Sequence, residues 1–175
     1  MHEILKSLSG GDRRSIGESN RIASIVVERP ELMKVLFIGL ESNDPILRMR
    51  CADAAEKATA SHPELLVPYK IELLNKHAKI EQQEVRWHVA PMLARLPLSE
   101  TEETVALNVL LSYTNDHSSI VKTMAMQALA DIAIRSHRLM PLVKQHIEKL
   151  TVIGTPAMKA RGRKLLVMLP KVHHG

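Results

Sequence analysis

DPILRMRCADAAEKA, residues 44–58, is the stretch of sequence that decides the fold. Small or apolar residues occur at offsets of 0, 4, 7, 8 and 11 from Leu47, which are Leu47, Cys51, Ala54, Ala55 and Ala58. These offsets place all five side chains on one face of an α-helix. Asp44 is a suitable N-cap and Pro45 suits the first helical turn. The stretch therefore predicts a helix whose buried face is small enough for close approach to its neighbours.

The same offsets recur along the chain, starting at Val85, Val121 and Met158. The four starting points are 38, 36 and 37 residues apart, and a basic residue follows each of them. Because such a period is typical of stacked helical repeats, each unit is predicted to be a helical hairpin. The three further stripes are Val85, Val89, Met92, Leu93 and Leu96; Val121, Ala125, Ala128, Leu129 and Ile132; and Met158, Gly162, Leu165, Leu166 and Leu169. A weaker first stripe is Ser15, Ser19, Ile22, Ala23 and Val26.

The repeated pattern resembles the HEAT-repeat family of α-solenoids over nearly the whole chain. The residues that carry the resemblance are the turn acid, the apolar-basic pair and the small stripe in NDPILRMRCADAA, echoed by EVRWHVAPML, IVKTMAMQAL and AMKARGRKLL. The pattern departs from the family at Ile16, which replaces the basic residue, at Gly162, and before Met158, where no acid stands. The resemblance implies that the basic residues Arg48, Arg86, Lys122 and Lys159 bridge repeats by pairing with turn acids such as Asp44 and Asp116.

The predicted fold is all-α, a right-handed α-solenoid of about five HEAT-like hairpins. Apolar segments that begin at Pro30, Pro63, Glu103 and Arg138 supply the first helix of the later hairpins. Asp44, Asp116 and Thr155 are predicted to cap the second helices of their hairpins. We expect a single domain over residues 1–175, with units at about 1–29, 30–62, 63–98, 99–137 and 138–171.

Composition narrows the class of protein. The chain has 175 residues, of which 45% are hydrophobic and only 2% aromatic, which favours stacked helices over sandwiches or barrels. One cysteine permits no internal disulfide, and no apolar run reaches the length of a membrane span. The N-terminal sequence lacks the apolar stretch of a secretion signal, so we expect a cytoplasmic protein without a membrane partner.

No catalytic motif is found, and we predict neither an enzyme nor a cofactor. The sequence contains no P-loop, no glycine-rich dinucleotide turn, no His-Glu-x-x-His and no cysteine pair. Cys51 belongs to a buried stripe, which predicts a packed and unreactive thiol. We assign no metal ligand, since the His173–His174 pair is interpreted as part of a frayed end.

The predicted binding surface is the concave groove that, by the resemblance, the second helices line. Trp87 lies about 180° from the centre of its stripe, and Met49 and Thr123 occupy the equivalent positions in the flanking repeats. With these three, Asp53, Pro91 and Gln127 complete the predicted patch. The leading interpretation is a non-enzymatic scaffold that binds a protein or peptide there. The alternative for Trp87 is that it fills a packing gap between helices.

The basic end of the chain suggests a second function. The formal net charge is +5, and no acid follows Glu148, whereas Lys149, Lys159, Arg161, Arg163, Lys164 and Lys171 do. Lys159, Arg161, Arg163 and Lys164 are the candidate anion-binding residues, and nucleic acid is the candidate ligand. The alternative is a solvated cap at the end of the repeats.

Two enzyme families with HEAT-like repeats are weaker alternatives. DNA alkylation-repair glycosylases place a groove aspartate beside aromatic side chains, whereas Pro91 stands four residues beyond Trp87 and Asp53 is a lone acid. The aromatic residues are only Phe37, Tyr69, Trp87 and Tyr113, which argues against that activity. HEAT-like lyase subunits that attach bilin chromophores commonly have shorter repeats than the spacing seen in this sequence.

Overall fold

The computed structural model describes residues 1–12 and 14–169, and every regular element within them is helical. The predicted all-α class is therefore confirmed for this part of the chain. Three 3-10 helices span Pro30–Leu32, Pro63–Tyr69 and His77–Lys79. The α-helices are α1 (Glu3–Leu8), α2 (Ser19–Glu28), α3 (Met33–Gly39), α4 (Pro45–Ser61), α5 (Lys70–Asn75), α6 (Gln83–Arg95), α7 (Glu100–Tyr113), α8 (Ser119–Arg135), α9 (Met140–Ile153) and α10 (Pro156–Met168).

The helices form two compact units, residues 1–97 and a second that begins at Leu98. In the first unit α4 is central, because it packs against α1, α2, α3 and α6. In the second unit α8 packs against α7, α9 and α10, and α9 and α10 pack against each other.

The buried stripe of α4 explains its central position. All five residues of the stripe are buried, and Cys51, Ala54 and Ala55 have no exposed surface. Gly39 of α3 lies so close that a β-carbon there would collide with the Cys51 sulfur. Burial raises the pKa of the Cys51 thiol to about 12, so the thiol is packed and un-ionised at neutral pH, as the sequence predicts.

The stripes of α6 and α8 are buried in full as well, and α10 follows with one change. Met158, Gly162, Leu165 and Leu169 are buried, whereas Leu166 is half-buried. A β-carbon at Gly162 would collide with Thr151 Oγ1 on α9. Gly162 therefore departs from the repeat pattern at the place where two helices need close contact.

The predicted caps are correct at two helices and wrong at a third. Asp44 accepts a hydrogen bond from the Ile46 amide at 2.9 Å, and Thr155 Oγ1 accepts one from the Met158 amide at 3.3 Å. Ser118 is the N-cap of α8 instead of Asp116, which accepts a hydrogen bond from the Ser118 amide at 2.8 Å.

The basic residues that follow the stripe starts have a structural role in the first unit. Arg48 donates to the Ser42 carbonyl at 2.7 Å and to Gln82 Oε1 at 2.8 Å. Arg86 donates to the Ile80 carbonyl at 3.0 Å, also six residues before it. Both arginines thus bind a carbonyl of the preceding turn, while the Asp44 carboxylate caps its own helix.

None of the described helices combines the length and the hydropathy that a membrane crossing requires.

Candidate functional site

A cavity of about 250 Å³ in the first unit brings together three of the predicted groove residues. Helix α4 and helix α6 supply two of its walls, and the loop before α2 supplies the third. The lining residues are Arg14, Ser15 and Ile16 from the loop; Met49, Arg50 and Asp53 from α4; and Glu84, Trp87 and His88 from α6.

Helical spacing explains the two helical walls. Met49 and Asp53 are four residues apart, so they lie one above the other on α4. Glu84 and His88 have the same spacing on α6, with Trp87 beside them. Because α4 and α6 pack against each other, side chains of both helices that lie outside the buried stripes face a common space.

The third wall depends on Arg50, a buried arginine with 4% of its surface exposed. Its Nη1 donates to the carbonyls of Leu8 at 3.0 Å and Gly10 at 2.5 Å. Its Nη2 donates to the Asp12 carbonyl at 3.1 Å, and its Nε donates to the Ser15 carbonyl at 3.1 Å. The described residues of the loop between α1 and α2, 9–12 and 14–18, are therefore folded around one guanidinium group.

Gly17 allows the loop to lie against this guanidinium. Its φ of 53° is in the left-handed region, and a β-carbon there would lie 3.0 Å from the Arg50 Cζ. The loop continues into α2, where Ser19 Oγ donates to the Arg50 carbonyl at 3.2 Å. The position of Ile16 in the cavity wall is thus fixed by contacts on both sides of it.

Asp53 is the acidic group of α4 in the cavity, and its side chain is only 7% exposed. Its Oδ2 accepts a hydrogen bond from Lys57 Nζ at 2.8 Å, and that ammonium also donates to Asn20 Oδ1 at 2.6 Å. Its Oδ1 lies 3.6 Å from His88 Nε2, which is longer than a hydrogen bond. A carboxylate oxygen accepts up to two hydrogen bonds, so Oδ1 can accept one from a ligand.

His88 is uncharged at neutral pH. Burial lowers the pKa of its imidazole, and this effect exceeds the opposing effect of the Asp53 carboxylate. The ring meets the Trp87 ring edge to face, with centroids 5.9 Å apart. His88 therefore supports the indole by aromatic contact and adds no charge to the wall.

Trp87 is half-buried: it contacts its neighbour on α6 and also lines the cavity. Pro91, predicted to belong to the same patch, is half-buried on α6 and is not among the residues that line the cavity. The loop residues of the cavity were not predicted from the sequence.

The remaining predicted groove residues belong to the second unit. Thr123 Oγ1 donates within its own helix, to the carbonyls of Ser119 at 3.1 Å and Ile120 at 3.0 Å. Gln127 donates to Asp131 Oδ1 at 2.9 Å and accepts from Arg161 Nη1 at 3.0 Å. These contacts tie α8 to α10.

The four candidate anion-binding residues differ in their surroundings. Arg161 is half-buried and held by Gln127, and Lys159 is also half-buried. Arg163 and Lys164 are exposed on α10. Lys171 and the His173–His174 pair lie outside the described residues.

A search for groups of three or more His, Cys, Asp or Glu side chains that could hold a metal ion found none within residues 1–12 and 14–169. Comparison of the chain with protein-family models, with curated proteins and with solved structures gave no match.

Proposed function

We propose that the chain is a non-enzymatic binding module that holds a segment of a partner protein, with one side chain of that partner in the α4–α6 cavity. The observation that carries the proposal is one open cavity lined by Met49, Asp53 and Trp87 together with Ile16. The first three were predicted to share a patch because they occupy equivalent or adjacent positions in the repeats. Apolar walls with a few fixed polar groups are typical of sites that bind side chains of a partner.

The proposal includes the repeat architecture, a right-handed solenoid of about five HEAT-like hairpins. It is supported by the packing of α4 against both α2 and α6 in the first unit, and of α8 against α10 in the second. Side-by-side packing of second helices is the arrangement that a HEAT-like array requires. Within each unit, neighbouring second helices then present equivalent positions to one surface, which suits an extended partner.

Trp87 makes the proposal testable, because it is the only tryptophan of the chain and its fluorescence reports on the cavity alone. Peptides selected from a displayed random library are titrated into the protein while the emission of Trp87 is recorded. We expect a saturable shift of that emission. Trp87→Ala, measured by calorimetry, should weaken the same peptides about 30-fold or more, the loss typical of a tryptophan hot spot.

A matched pair of isoleucines provides the control. Ile16 lines the cavity and is 46% exposed, whereas Ile71 on α5 is 60% exposed and does not line it. Ile16→Ala should weaken the peptides and Ile71→Ala should not, with little effect of either on stability. The proposal fails if no peptide perturbs Trp87, or if the cavity variants bind the selected peptides as the parent does.

Nucleic-acid binding is a second candidate, favoured by the exposure of Arg163 and Lys164 on a helix without acidic residues. The second unit carries ten basic and six acidic side chains, against fourteen and thirteen in the first. Contacts between such cations and phosphates are electrostatic and do not depend on base sequence. We propose no excision chemistry for this chain.

A further inference from the structure

The charges of the α4–α6 cavity are balanced within the chain. Two arginines, Arg14 and Arg50, and two carboxylates, Asp53 and Glu84, line it, so their formal charges sum to zero. Arg50 donates to four carbonyls, and the Lys57 ammonium that pairs with Asp53 is not among the groups that line the cavity. A charged occupant would lose its hydration without meeting a net opposite charge. This balance favours an uncharged occupant.

The apolar part of the wall suits a ring. Met49 offers a thioether, Trp87 offers an indole, and Ile16 closes the loop side. Sulfur and indole groups both make favourable contacts with aromatic rings, beyond the gain from burial of apolar area. A volume of about 250 Å³ is large enough for an aromatic side chain.

One polar atom of the wall can select among aromatic side chains. Asp53 Oδ1 lies 3.6 Å from the His88 ring nitrogen and has capacity to accept a hydrogen bond. A hydroxyl group on the occupant would donate to this oxygen. A hydrogen bond to a charged acceptor in a buried site is stronger than one between neutral groups.

We infer that the side chain that enters the cavity is a tyrosine of the partner segment, with its ring between Met49 and Trp87 and its hydroxyl on Asp53. This inference rests on the proposed function and specifies which residue of a partner the site recognises.

The test uses side-chain analogues, so that it does not depend on knowing the partner. p-Cresol, toluene and n-butylammonium stand for tyrosine, phenylalanine and lysine, and each is titrated while the indole N–H resonance of Trp87 is followed by NMR. We expect p-cresol to bind about tenfold more tightly than toluene, because only p-cresol donates to the carboxylate. n-Butylammonium should give no saturable shift.

Two variants isolate the hydrogen bond from the ion pair. Asp53→Ala removes the acceptor, and it should reduce the affinity for p-cresol to the affinity that the same variant has for toluene. Lys57→Met removes the ion pair of Asp53 but keeps the acceptor, so the preference for p-cresol should remain. Circular dichroism of each variant confirms that it is folded.

The outcomes separate this inference from the proposed function. Equal binding of p-cresol and toluene, tighter binding of n-butylammonium, or a preference that survives Asp53→Ala would overturn the tyrosine assignment and leave a peptide-binding cavity in place. A lack of any response at Trp87 would also overturn it. The displayed-peptide experiment then decides the proposed function on its own evidence.

Discussion

Arg50 is the residue on which the first unit depends most clearly, because one buried cation organises a whole loop. Its donors reach carbonyls 35 to 42 residues away in the sequence. We predict that Arg50→Met, which keeps an unbranched apolar stem and removes the guanidinium donors, lowers the free energy of unfolding by about 2–4 kcal/mol. Urea denaturation measures this loss, and limited proteolysis should show faster cleavage between residues 9 and 18.

Arg21→Met is the matched control for that prediction. Arg21 is on α2 in the same unit, its side chain is 57% exposed, and it pairs only with the exposed Glu18. An exposed pair of this kind contributes at most about 0.5–1 kcal/mol, so the control should unfold close to the parent. Equal midpoints for Arg50→Met and Arg21→Met would contradict the role assigned to Arg50.

Three histidines whose pKa is lowered by burial should make the free energy of unfolding depend on pH. Burial lowers the pKa of His77, which is 1% exposed and lies edge to face with Phe37, and burial lowers the pKa of His88 and His146 as well. The unfolded chain therefore binds protons at a higher pH than the folded chain does. The free energy of unfolding should be highest above the ordinary histidine pKa of 6.5 and should fall as the pH drops below it.

His77→Leu tests this dependence, since leucine is a neutral apolar replacement. Neither ring nitrogen of His77 has a hydrogen-bond partner, and the carboxylate near it, Glu41, lies 3.6 Å from Nε2. Urea midpoints at pH 7.5 and 5.5 should differ less in the variant than in the parent. A decrease of the same size in both proteins would show that His77 does not contribute to the acid sensitivity.

At the scale of helices, the contact between α9 and α10 depends on the absence of a side chain at Gly162. An alanine in a helix normally stabilises it by about 1 kcal/mol relative to glycine. Gly162→Ala should instead destabilise the protein by about 1–3 kcal/mol, because the new β-carbon would meet Thr151, whose hydroxyl is held by the Ile147 carbonyl at 2.7 Å. Thermal unfolding of the variant measures the change.

The double variant Gly162→Ala with Thr151→Ala checks the cause. Removal of the Thr151 hydroxyl and methyl groups should restore part of the lost stability, so the two substitutions should be coupled. If the double variant loses the sum of the two single losses, the clash is not between these two residues.

Features determined by residues close together in the sequence could be predicted, whereas features that depend on contacts between distant residues could not. The stripes of α4, α6 and α8 follow from the helical period alone, and so does the shared face of Met49 and Asp53. The cap of α8 was predicted wrongly because Asp116 and Ser118 are both good caps two residues apart. The loop wall of the cavity was missed because no local pattern pairs Arg50 with distant carbonyls.

For the whole molecule, the uneven distribution of charge is the feature that remains to be connected with function. The excess of four basic residues in the second unit includes the exposed Arg163 and Lys164, whereas Arg161 is occupied by Gln127. Binding to a polyanion should therefore depend on Arg163 and Lys164 and fall steeply with salt, because each phosphate contact releases bound counterions.

We predict that the protein binds a labelled 20-base-pair DNA at low salt and that Arg163→Glu with Lys164→Glu reduces this binding and the steepness of its salt dependence. The loss of two phosphate contacts should lower the slope of log K against log salt by about 1.8. Fluorescence anisotropy at several KCl concentrations measures both quantities.

Lys34→Glu with Lys79→Glu changes two exposed lysines of the first unit and gives the same net charge, so it separates a local site from the overall charge. If both double variants weaken binding equally, the attraction belongs to the net charge of the chain. If the parent protein does not bind at low salt, α10 is a solvated surface.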